Sequence, residues 1–142
     1  MKKEIQNLDL IDIISERNLM LRYISEKTWN HSSNINISNS EWFIMNRIYK
    51  KTMPISYVAK NADISRQAAH KVVKSLHSKG LIEITTLESN RRYKYVQLTP
   101  LGEECYEKNS NMKSILEKKI AEKIGADKFN ILKDILSTDW GL

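Results

Sequence analysis

The sequence predicts a mainly α fold: a winged helix-turn-helix with N- and C-terminal dimerisation helices. Three observations carry that reading. Apolar residues recur at three- and four-residue spacing along most of the 142 residues. The stretch "ISRQAAHKVVKSLHSKGLIEI", residues 64–84, runs from a capping serine through a basic amphipathic helix to a glycine stop and then into alternating, strand-like sequence. The positive charge is concentrated in the same middle third of the chain.

Taken in order, Leu8, Ile11, Ile14, Leu21 and Ile24 share one face of a first helix running from Leu8 to about Trp29. The polar connector "HSSNINISN" follows. Ser38 with Glu41 three residues on is a capping box that opens a second helix, with Trp42, Met45, Ile48 and Tyr49 inward and Ile37 against Trp42 as a hydrophobic staple. Thr52 and Pro54 are expected to start a short third helix, because proline's fixed φ and missing N–H suit a first turn. Ile55, Val58, Ala59 and Ala62 give that helix its apolar side.

Ser65 caps the fourth helix, Ala69, Val72, Val73 and Leu76 form its buried stripe, and Gly80 supplies the left-handed residue that ends it. "LIEIT" and "YKYVQLT" alternate on either side of the turn "LESN" and form a β-hairpin with Arg91 and Arg92 at or beside its tip. Gly102 to Ile124 resumes helical spacing, Gly125 breaks it, and a last helix carries Phe129, Leu132, Ile135 and Leu136. The chain divides into residues 1–36, an N-terminal dimerisation helix; 37–102, a winged lobe; and 103–142, C-terminal dimerisation helices.

Hydrophobic residues make up 41% of the chain and charged residues 28%, enough apolar material for a core without disulfides. Its single cysteine cannot form an internal bridge. Glu4, Asp9, Asp12 and Glu16 occupy the place of a signal peptide's apolar core, and no apolar run approaches the roughly 20 residues that span a bilayer. A cytoplasmic protein with no membrane association is expected. The net charge of +6 is unevenly spread: residues 47–97 hold 11 Lys and Arg against 3 Asp and Glu, while each flank carries one net negative charge. Confinement of the excess to the helix-turn-helix region is how a polyanion-binding surface would look.

An α-helix fits the major groove of B-DNA, where the first turns of a recognition helix reach base edges. The polar set on the fourth helix has the chemistry that groove requires. Arg66 can take guanine O6 and N7 in a fork, Gln67 can do the same for adenine, and Lys71 and Lys74 answer phosphates. Two adjacent arginines at a hairpin tip suit the narrow, electronegative minor groove.

At this point "SEWFIMNRI" before the motif, "ISRQAAHKVVKSLHSKGLIEI" across it and "RRYKYVQLTPLGEE" after it resemble the MarR (multiple antibiotic resistance regulator) family of bacterial transcription factors, over roughly Ser38 to Glu104. The resemblance implies an obligate homodimer whose terminal helices interlock and which binds a pseudo-palindromic double-stranded DNA operator, as a repressor. It implies that Ser65, Arg66, Gln67, His70, Lys71 and Lys74 face the major groove and that Arg92, with Arg91, enters the minor groove. Where many members carry an aspartate before the wing arginines, this chain has Asn90, which can accept a hydrogen bond but cannot pair a charge. The residues support a dimer independently, since the terminal segments offer three apolar helix faces, more than one winged lobe can cover. Two-fold symmetry would then space the recognition helices by about 34 Å.

Family members often sense small aromatic effectors in a cleft between the dimer helices and the DNA-binding lobe. Trp29, Trp42, Met45 and Tyr49 are the candidates here, although a core or interface role is the stronger reading of each. Cys105, at the start of a dimer helix, reads as inert packing rather than a redox switch. His70 and His77 lie two helical turns apart, roughly 10 Å, too far for one metal ion. No cofactor is expected, and no GxSxG, P-loop, HExxH or CxxC motif points to an enzyme. The alternative to a transcription regulator is a winged-helix protein–protein module or anti-repressor, a descendant expected to have lost the basic face that Arg66, Lys71, Lys74, Arg91 and Arg92 keep.

Overall fold

The computed structural model of the chain describes residues 5–61 and 64–142, without the side chains of Asn90 and Arg91. Among the described residues, six helices and a small antiparallel sheet follow one another as α1 (Leu10–Ser32), α2 (Asn39–Ile48), β1 (Met53–Pro54), α3 (Ile55–Asn61), α4 (Arg66–Ser78), β2 (Ile82–Leu87), β3 (Asn90–Leu98), α5 (Pro100–Ile124) and α6 (Ala126–Ser137). The protein is mainly α, as its periodicity predicts. Ala62, expected on the apolar side of α3, lies outside the described residues.

Four of the helix starts are set by side chains that accept orphan first-turn N–H groups. Asp9 accepts from Asp12 N–H and starts α1 two residues later than expected. Ser38 and Glu41 exchange both bonds of the capping box on α2. Ser65 accepts from Ala68 N–H at 3.1 Å to start α4. Thr99 accepts from Gly102 N–H and moves the start of α5 back to Pro100, in the first turn where proline's missing N–H costs nothing. Ser65→Ala is therefore expected to lower stability by about 1 kcal/mol, read as a fall in urea midpoint at fixed protein concentration. An unchanged midpoint would mean that the cap is dispensable.

The far end of α4 closes by the double bond expected of a glycine stop. Gly80, at φ +74, donates to His77 O and Leu81 donates to Leu76 O. Pro54 does not open a helix. Met53 and Pro54 instead pair with Val96 and Tyr95, in the sheet order β1-β3-β2. That places the proline in an edge strand, where an absent N–H leaves no ladder bond broken, and α3 starts one residue later.

In the wing, Ile82 to Thr86 pair in step with Leu98 to Lys94, and then the register slips so that Leu87 faces Asn90. Nine residues of β3 thus run beside six of β2. The excess falls at residues 91–93, the arginine stretch. Slips of this kind bend a strand and re-aim its side chains.

The core lies within the winged lobe and under the C-terminal end of α1 and the N-terminal part of α5. Ile44, Met45 and Ile48 of α2 pack with Val58 of α3, Val73 and Leu76 of α4, and Ile82, Val96 and Leu98 of the sheet, joined by Trp29 of α1 and Cys105 of α5. The outer parts of the long helices bury little. Ile11 is 78% exposed and Ile131 57%, and no residue of α6 is buried. No helix among the described residues is long and apolar enough to cross a membrane.

Candidate nucleic-acid interface

Helix α4 buries Ala69, Val73 and Leu76 and leaves Arg66, Gln67, His70, Lys71 and Lys74 exposed, so the apolar stripe that seats it also decides which residues point outward. Ser65 is exposed too, its Oγ lone pair already used on Ala68 N–H and its own proton available to donate. Helix α3 packs against α4 and props it from behind.

Between α4 and the wing runs an open groove of about 430 Å³ whose rim includes Arg66, His70, Lys74 and His77 from α4, Ser56 from α3, and Arg92, Tyr93 and Lys94 from β3. Helix α4 and the wing thus contribute cationic side chains to one concavity, and none of its described lining residues is acidic. Gln67 and Lys71 are exposed outside it. The backbones of Asn90 and Arg91 begin β3, while their side chains lie outside the described residues.

Sequence reasoning did not single out Ser56 or Lys94. The signal for Lys94 was present: it shares a strand face with Val96 and Leu98, both buried, so period two already placed it on the side facing α4.

The four candidate cleft residues fall into two groups. Trp29 and Met45 are buried in the core, at 1% and 0% exposure. Trp29 Nε1 donates to Ile35 O at 2.7 Å, and the ring meets Trp42 edge to face at 4.8 Å. Trp42 also borders an open recess of about 550 Å³, shared with Phe43 and Asn46 of α2, Arg22 of α1 and Lys113 of α5. Tyr49 stacks on Tyr106 at 4.3 Å and donates its phenol proton to Glu107, a bond that pushes its pKa up to about 12. Tyr49 thereby ties the end of α2 to α5.

Cys105 is buried, and burial pushes its thiol pKa up, away from the thiolate form that oxidation chemistry needs. Among the described residues no group of three or more His, Cys, Asp or Glu is placed to hold a metal ion.

A propping helix, a basic second helix and a β-hairpin laid beside it define a winged helix-turn-helix. In agreement, residues 37–102 match the family of the winged helix DNA-binding domain. The chain as a whole has the fold of the MarR-type transcription regulators. FabT from Streptococcus pneumoniae, solved in complex with DNA, is 19% identical, with 90% of each chain covered and a TM-score of 0.78. MepR, a transcription regulator of the Staphylococcus aureus multidrug efflux pump MepA, is 14% identical over 92% of this chain and 95% of its own, at 0.74. A mutant MarR from E. coli is 18% identical over 91% and 94%, at 0.75. No curated protein matches the sequence.

Proposed function

We propose that the protein is a DNA-binding transcription regulator of the MarR type, a repressor that binds a pseudo-palindromic operator as a homodimer and is released by a small aromatic effector. The observation that carries the reading is the groove in which Arg66, His70 and Lys74 of α4 meet Arg92 and Lys94 of the wing with no acidic residue among them. A protein-binding descendant would have no reason to keep such a surface. In this reading the chain is not an enzyme, α4 enters the major groove and the wing follows the adjacent minor groove.

Residues 1–36 and 103–142 then serve as dimerisation segments around the lobe of residues 37–102. Their support is the exposed apolar surface of Ile11, Leu19, Ile115, Ile131 and Ile135, which a second copy would cover. The recess edged by Trp42 and Phe43, with Arg22 and Lys113 at its rim, supports an aromatic, anionic effector.

Two substitutions separate base reading from phosphate anchoring. Arg66→Ala is expected to cost about 1–3 kcal/mol on the operator and to relax sequence preference. Lys74→Ala is expected to weaken operator and random duplex alike and to lower the salt slope by about one. Equal losses on both duplexes for Arg66→Ala would remove its base-reading role.

A further inference from the structure

We infer that Glu41 and Lys79 form a joint that fixes the pose of the recognition helix relative to α2 and the connector before it, and that operator selectivity depends on it. The inference rests on the DNA-binding reading above. Glu41 is only 4% exposed, and carboxylates are seldom buried without partners. Its oxygens accept from Ser38 N–H at 3.1 Å, from Ser75 Oγ at 3.3 Å and from Lys79 Nζ at 2.7 and 2.9 Å. Lys79 Nζ also donates to Asn36 O at 2.5 Å. Ser75 lies in the last turn of α4 and Lys79 is its C-cap; Ser38 caps α2; Asn36 belongs to the connector that leaves α1. The carboxylate therefore binds the end of the recognition helix to the start of α2, and the Lys79 ammonium adds a bond to the connector between α1 and α2.

Capping does not require this charge, because a glutamine at the same position closes a capping box as well. Stability does not require it either, since an apolar pair of equal volume commonly packs as well as a buried ion pair. What the pair adds is a defined distance and direction. Helix α4 is 13 residues long, about 20 Å at 1.5 Å per residue. A tilt of about 10° at the joint would therefore carry Arg66 roughly 3 Å, as far as a whole hydrogen-bond length. Phosphate contacts by flexible lysines would survive such a shift, whereas forked contacts to base edges would not. Glu41, Lys79 and Ser75 are thus positioning residues that act on DNA through α4.

The test compares Glu41→Gln, Lys79→Met and Lys79→Arg with the wild-type protein, each titrated with a duplex obtained by selection from random sequence and with a random duplex, alongside thermal unfolding. The first two variants are expected to lower the ratio of operator to random affinity on the order of tenfold, with random-duplex binding unchanged. Lys79→Arg, which keeps the cation, is expected to preserve the ratio. Should Glu41→Gln fail to fold, the contrast between Lys79→Met and Lys79→Arg carries the decision. An unchanged ratio in the folded charge-removing variants, even with a lower melting temperature, would make the pair merely structural and overturn the inference alone. A wild-type protein with no preference for any duplex would overturn the DNA-binding reading and the joint's role with it.

Discussion

Gly102→Ala is expected to destabilise the protein by about 3 kcal/mol, at the upper end of the cost of overpacking a core. A Cβ at this position would stand 2.1 Å from the carbonyl oxygen of Leu81 and 3.2 Å from Leu98 Cδ2. The obstacle is backbone, and it is held from several sides. Leu81 O accepts from Thr99 N–H at 3.0 Å, Thr99 Oγ1 donates to Gly80 O at 2.7 Å, and the same hydroxyl oxygen accepts from Gly102 N–H at 3.0 Å. These contacts lash the first turn of α5 to the glycine stop of α4, so α5 cannot move away without breaking them. The measurement is urea unfolding at fixed protein concentration, and a wild-type midpoint would show that the two segments part more easily than their bonding implies.

Ile11→Asp combined with Ile131→Asp is expected to turn a dimer into a monomer, weakening self-association by about 2–4 kcal/mol. Both side chains are exposed in the single chain, at 78% and 57%, and neither belongs to the core cluster. The substitutions should therefore leave the winged lobe folded while placing unpaired carboxylates in the apolar surface that a second copy would bury. Sedimentation velocity reads the mass directly, and operator binding should fall with it because one protomer reaches only one half-site. A wild-type chain that sediments as a monomer, or a doubly substituted one that remains a dimer, would contradict the account of the terminal helices.

Much of this fold was legible in the sequence because local chemistry and tertiary packing agree at its boundaries. Ser38 with Glu41, Ser65 and Gly80 each have a local job, and each performs it where periodicity placed it. The inner and outer faces of α4 followed from the spacing of Ala69, Val73 and Leu76 for the same reason.

What stayed hidden depends on partners distant in sequence. Pro54 suits a first helical turn by its own geometry, and only its pairing with Tyr95, far along the chain, draws it into a strand. The slip between Thr86 and Leu87, which gives β3 its extra residues at the arginines, leaves no mark on the alternation of either strand. Glu41 was visible as half of a capping box, whereas its bonds to Ser75 and Lys79 span more than thirty residues and have no periodic signature. The candidate cleft residues show the same limit: an aromatic at helical spacing looks identical whether it fills the core, as Trp29 does, or edges a recess, as Trp42 does.

The most direct test of the central claim is a titration of the purified protein, across a salt series, with a duplex enriched from a random pool by the protein itself and with unenriched duplex. The account predicts enrichment of an inverted repeat and binding as a dimer. The enriched duplex should be preferred by at least about a thousandfold, and log affinity should fall with log salt at about −0.9 per phosphate contacted. Failure to enrich any sequence, with weak and equal binding to both duplexes, would contradict it and leave the winged lobe as a surface for protein partners.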